Sequence, residues 1–187
     1  MAGHAPRSTV YRTERRTEPQ PGIRARASAR PLLLPGILLG VGLGGFVDGI
    51  LLHQILQWHH MLTAHGNYPA TTIAGLEVNT LWDGLFHAST WVATVAGIWL
   101  LWRTARRDDV SWSYQSLIGL LAMGWGLFNV VEGTVDHHIL TIHHVRDDID
   151  DPLPWDIGFL VLGTMLVAGG WWLYRRGEEA EQVTTRG

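Results

Sequence analysis

The chain has 187 residues, 47% of them hydrophobic, a formal net charge of −3 and no cysteine. The missing cysteine excludes disulfides, thiolate metal sites, iron–sulfur clusters and cysteine nucleophiles, so any bound metal must use nitrogen or oxygen donors. A mean hydropathy of only +0.08 would suit one soluble domain, but the apolar residues are concentrated in four blocks with the charges between them.

In chain order, residues 1–33 read as a disordered, arginine-rich tail drawn to anionic lipid. A cleaved signal peptide fits poorly, because the apolar run continues past Leu51 and no small-residue cleavage site follows it. The blocks Pro35–Leu62, Leu81–Trp102, Tyr114–Val145 and Trp155–Tyr174 are each long enough for the roughly 20 residues that cross a hydrocarbon core. They predict an all-α, integral membrane four-helix bundle over residues 34–175, in halves of about 34–107 and 110–175, followed by a short tail over residues 176–187. Every positive side chain is an arginine. These arginines gather before the first span, between the second and third, and after the fourth. The positive-inside rule then places both termini in the cytoplasm of a bacterial plasma membrane and the "RDDIDDPLP" loop outside. Lipid is the expected surrounding, nucleic acid is not an expected partner, and a homo-oligomer or other membrane partners stay open.

Sliding the chain along itself reveals a repeat. "GVGLGGFVDGILLHQILQWHH" from Gly40 lies over "GWGLFNVVEGTVDHHILTIHH" from Gly124, which predicts two duplicated helical hairpins related by an axis along the membrane normal. The stripes Gly36, Gly40, Gly44 and Ala122, Gly126 would let helices approach closely.

The repeats carry ionisable groups where lipid tolerates few. On an α-helical wheel with Asp48 at zero, His59 falls near about 20° and His53 and His60 near about 140° and 120°. Glu132, His143, His137 and His144 repeat this, Asp136 joins the carboxylate stripe, and His138 falls away from both. At a rise of about 1.5 Å per residue, Asp48 and Glu132 lie deepest, His53 and His137 about 7 to 8 Å further out, and the His-His pairs about 9 to 10 Å beyond those. On the second helix His87 is expected level with His53 and His137, and Asp83 and Asp156 beside the His-His pairs. The expectation is a metal centre of His53, His87 and His137 with Asp136 or Glu132. Above it, His59, His60, His143 and His144 would form a second site or an entry relay. Neutral imidazoles and carboxylates suit copper, iron or zinc. Asp48, Glu132, Asp83 and Asp156 would handle protons or support the ligands. No polar residue is expected to continue the ladder below Asp48 and Glu132. His4 and His65 read as solvated, and Trp99, Trp102, Trp112, Trp171 and Trp172 as an interfacial belt.

The duplicated [DE]-G-x3-H-x-I-L-x2-H-H segments and the "WDGLFH" helix start resemble a family of bacterial membrane proteins called domain of unknown function 2243, over roughly Leu34 to Tyr174. That resemblance implies a four-helix integral membrane protein and no particular reaction. The His-His steps are also similar to the histidine boxes of membrane di-iron desaturases and hydroxylases, but their spacing differs and they lie within predicted spans, so that likeness is one of chemistry only. Three readings follow. They are a redox or other metalloprotein, a b-type haem protein with His53 and His137 as axial ligands, and a metal-ion transport or delivery protein.

Overall fold

The computed structural model describes residues 27–64, 66 and 68–184, and side chains as far as residue 180. His4, His65 and most of the arginine-rich N-terminal tail lie outside the described residues. Among those described, the regular structure is helical, and four helices are long and apolar enough to cross a membrane: Arg30–Ile55, Ile73–Ala105, Tyr114–Ile139 and Leu153–Ala180.

Helix α1 (Leu33–Phe46) follows a single 3-10 turn at Arg30–Leu32 and runs on as a π-helical segment, Val47–Ile55. Pro31 and Pro35 fall in the first turns, where a missing N–H costs nothing. Ser28 pairs with the loop over residues 106–113, its N–H donating to Asp109 O at 3.2 Å and its carbonyl accepting from Ser111 N at 3.2 Å. Helix α2 (Ile73–Ala105) is capped by Thr72, whose hydroxyl accepts from Gly75 N at 3.1 Å. Helix α3 (Tyr114–Glu132) is capped in the same way by Ser113 and continues as a second π-helical segment, Gly133–Ile139. Helix α4 (Leu153–Thr184) passes beyond the tail boundary expected at 176.

Three further boundaries differ from the sequence expectation, and all three shape the site. The first and third spans end at Ile55 and Ile139, and the chain then reverses through Gln57 and Thr141, both at positive φ. Helix α2 starts eight residues earlier than the apolar block suggests, because its outer turns hold Asn79 and Asp83 inward while the apolar side chains face out.

The helices sit in the order α2, α1, α3, α4. Helices α1 and α3 form the central pair, and α2 and α4 make no close approach to each other among the described residues. Glycine sets the central crossing. A Cβ on Gly40 would lie 2.8 Å from the Gly124 Cα, and one on Gly124 would lie 2.8 Å from the Gly40 Cα. Gly126 does not continue that contact. It faces Gly163 and Val167 of α4, much as Gly42 faces Thr90 and Thr94 of α2. The outer surface of α2 and α4 exposes Trp91, Val92, Ile98, Val161 and Met165, as expected of helices solvated by lipid rather than water.

Candidate metal centre

The first determinant of the site is the π-helical register. Asp48 and His53 are five residues apart, as are Glu132 and His137. In an α-helix that spacing separates two side chains by about 140°, and the wheel accordingly puts them on separate stripes. A π-helix bonds each residue to the fifth one along and stacks such pairs. His53 Nε2 lies 3.2 Å from Asp48 Oδ2, and His137 Nε2 lies 3.0 Å from Glu132 Oε1.

The second determinant is the chain reversal. Extending α1 and α3 as helices would carry His59 and His143 to the outer surface. The turns at Gln57 and Thr141 instead fold them back into the interior, where His59 and His143 are 2% and 0% exposed. Their rings stack at 4.7 Å with planes 4° apart. His143 Nε2 reaches Glu132 Oε1 at 2.8 Å, and the His59 ring meets His53 edge-on at 4.4 Å. The two shells expected at different depths are therefore one cluster: Asp48, His53, His59, Glu132, His137 and His143, all buried.

Helices α2 and α4 hold this cluster from the outside. Asp83 accepts from His53 Nδ1 at 3.0 Å, His60 Nδ1 at 2.6 Å and the Met61 N–H at 3.0 Å. Asp156 accepts from His144 Nδ1 at 2.7 Å and the Val145 N–H at 2.9 Å, and lies 3.4 Å from His137 Nδ1. These carboxylates orient the imidazoles, as second-layer groups around metal-binding histidines do. His60 and His144 are half-buried at the rim, tied to Asp83 and Asp156 rather than turned into the cluster.

The outer loops cross. His59 Nδ1 donates to Val145 O at 3.0 Å, and His143 Nδ1 to Met61 O at 3.3 Å. Ala64 N–H donates to Ile142 O, Asp147 N–H to Trp58 O, and the Thr63 hydroxyl to the Asp147 carboxylate. A carbonyl only accepts, so each Nδ1 carries a proton; His59 Nε2 then faces the interior without a partner, while His143 Nε2 lies against Glu132. His59 lies outside the spans, and its pKa is pushed well below the usual value by burial and then by the neighbouring His143 and His53.

Several inward polar atoms lack a hydrogen-bond partner. Asp48 Oδ2, His53 Nε2, His59 Nε2, Glu132 Oε2 and both His137 nitrogens are buried without an aligned hydrogen bond. The ligand atoms of His53, His59 and His143 lie within 4.8 Å of one another, as do those of Glu132, His137 and His143. Either group could hold a metal ion, and His143 belongs to both.

Two expected participants stand apart. His87 does not join His53 and His137. Its Nδ1 donates to the Asp83 carbonyl of its own helix at 2.7 Å, and its Nε2 lies where a Cβ on Gly49 would be 2.6 Å away. Helix α2 lies against α1, so His87 meets the Gly49 backbone before it can reach the centre. Asp136 is half-buried and its carboxylate makes no hydrogen bond or ion pair among the described residues. His138 is exposed.

Other residues take part that the sequence reading passed over. Phe86 stacks on His53 at 5.5 Å and 17°, and Phe159 flanks His137 at 5.5 Å. Asn79 receives the Leu62 N–H at 2.8 Å and pins the outer loop. Asn129, 1% exposed with Oδ1 unpaired, lies one turn before Glu132, so the polar ladder continues below the carboxylates. Its signal was present: it is the one amide in "GWGLFNVVEG", three residues from Glu132 on the same helix face.

No curated protein and no solved structure matches the chain. The family described as Predicted membrane protein (DUF2243) matches residues 35–177, from the first turn of α1 through most of α4. With four apolar spans enclosing a buried cluster of histidines and carboxylates, this chain belongs to that membrane protein family.

Proposed function

We propose that this protein is a membrane metalloprotein whose histidine and carboxylate cluster binds one or two transition-metal ions. The observation that carries the reading is the set of ligand-type nitrogen and oxygen atoms that face one another in the interior. His53 Nε2 faces Asp48 at 3.2 Å and His137 Nε2 faces Glu132 at 3.0 Å, without hydrogen-bond alignment. Acceptors left so in a buried site are costly unless a cation supplies the missing charge. Two donors bound at about 2.1 Å to one ion lie about 3.0 to 3.4 Å apart at coordination angles between about 90° and 110°, which is the spacing seen. Nitrogen and oxygen donors without sulfur suit copper, iron or zinc. With copper or iron bound the centre would supply one-electron chemistry, and Asp48 and Glu132 are placed to hold or pass a proton beside it. Asp83 and Asp156 keep the imidazoles oriented.

Haem has less support. The stacked rings of His59 and His143 lie against both His53 and His137. The space beside Gly49 and Gly133 is taken by His87 and by Phe159 and Leu160. Transport has less support too, because below Asn129 the α1–α3 seam closes on Gly40 and Gly124. The arginine pattern supports a bacterial plasma membrane location with both termini cytoplasmic and the centre in the outer half. Elemental analysis of detergent-purified protein should find one or two copper, iron or zinc ions per chain, reduced in His53→Ala and His137→Ala. A metal-free parent would refute the reading, and a Soret band would favour haem instead.

A further inference from the structure

Helices α1 and α4 make no close backbone approach among the described residues, and between them, with α3 as its floor, lies a half-open groove of about 380 Å³. Its walls are apolar and aromatic, with Trp58 and Trp155 toward the outer end, Trp125 on the floor and Phe159 beside it. Only two carboxylate or amide side chains line it, Asp48 and Asn129, 4% and 1% exposed; Asn129 Oδ1 has no hydrogen-bond donor, while Asp48 Oδ2 faces His53 Nε2 at 3.2 Å. Apart from Trp58 and Val145 at one end, the groove is lined by residues of the spanning segments, so its ligand would enter from lipid rather than from water.

The two halves of the chain diverge where this groove lies. Shifting Gly44 and Gly45 by the repeat gives Phe128 and Asn129. On the α2 side Phe128 fills the matching volume, packing 5.9 Å from Phe86, and Gly45 lets Thr90 and Phe128 close in. On the α4 side Gly44, against which Trp125 packs, and Asn129, whose Oδ1 is unpaired, both line an open space. One half is packed shut where the other is hollow, and the hollow half leads to Asp48 of the proposed centre.

We infer that this groove binds a lipid-dissolved molecule whose aromatic head carries hydroxyl donors, of the hydroquinone class. Indole and phenyl walls favour a flat aromatic head. The buried Asn129 Oδ1 selects a ligand that brings a donor, and rejects the same head with only acceptors, because that oxygen would then stay unpaired. The inference rests on the metal reading only in treating Asp48 as part of that centre.

The test is binding of decylubiquinol to the full chain in nanodiscs under anaerobic conditions, read by tryptophan quenching. Metal content is measured on the same samples. Nothing lies within 4 Å of a Cβ built on Gly158, which lines the groove, so Gly158→Phe fills it without disturbing the donors. The expected result is saturable binding by the parent, weakened about tenfold or more in Asn129→Leu and for decylubiquinone or the di-O-methyl ether, as loss of a buried hydrogen bond implies. Gly158→Phe should lose binding and keep the parent's metal content. Equal binding of the quinone or the ether, parent-like binding by Gly158→Phe, or no saturable binding by the parent would overturn the inference. A metal-free parent that still binds the quinol selectively would refute the metal reading alone.

Discussion

His143 is the side chain on which both groups of donors depend. Its Nε2 contacts Glu132 at 2.8 Å, its ring stacks on His59, and its Nδ1 is held by the Met61 carbonyl. His143→Ala should therefore lower metal content at least as far as either His53→Ala or His137→Ala. His87→Ala should leave it unchanged, since that imidazole is engaged with its own helix. Elemental analysis of the variants side by side checks the ordering. His59 sets a pH dependence. Its folded pKa lies well below the ordinary value of about 6.5 because burial disfavours the imidazolium, as do His143 and His53. Below about pH 6.5 the unfolded chain takes up a proton that the folded chain refuses, so this contribution is intact at higher pH and is lost as pH falls. Chelator-treated protein should show a lower thermal midpoint at pH 5.5 than at pH 7.5, and His59→Gln should flatten that difference. A parent whose midpoint rises on acidification would contradict the assignment.

Among the elements, glycine positions separate sharply by what surrounds them. Gly124 meets the α1 backbone at Gly40, and a side chain there must push two helices apart. Overpacking of that kind typically costs about 1 to 3 kcal/mol, so Gly124→Val should lower the thermal midpoint. Gly84 has nothing within 4 Å of a built Cβ, and Gly84→Ala should hold or raise the midpoint, by up to about 1 kcal/mol of helix propensity. Thermal unfolding followed by tryptophan emission distinguishes the two. The four spans and the side chains of the buried cluster were legible in the sequence, because hydropathy reports burial in lipid and the matched segments mark paired ionisable groups. Their arrangement was not. A wheel drawn at α-helical pitch separates Asp48 from His53, and the π-helical turn that unites them leaves no pattern in "VDGILLHQI". The reversals at Gln57 and Thr141 adopt positive φ without glycine or asparagine to announce it, so His59 and His143 read as outer residues rather than core ones.

Across the whole molecule, arginine and tryptophan mark two levels. At one end Arg103 lies over Trp99, Arg106 over Trp102, Arg175 over Trp171 and Arg176 over Trp172, at 4.2 to 5.8 Å. At the other, Arg146 lies over both Trp58 and Trp155, at 4.5 and 5.2 Å. These pairs anchor a protein at its two interfaces with the headgroups. The chain has no cysteine of its own, so single cysteines report orientation directly. Asp150→Cys should react with an impermeant maleimide added to intact cells and Asp108→Cys only after lysis, and the reverse pattern would invert the proposed topology.

The crossed outer loops also impose an order on biogenesis. His59 is held by a carbonyl at Val145, and His143 by one at Met61, while Asp156 at the start of α4 orients the second half. A nascent chain that has inserted only its first hairpin thus carries Asp48 and His53 without the partners that complete the cluster. On the metal reading, a chain that stops before α4 keeps all six side chains of the cluster but lacks the Asp156 carboxylate that orients His137 and His144, so it would hold its ion more weakly than the full chain.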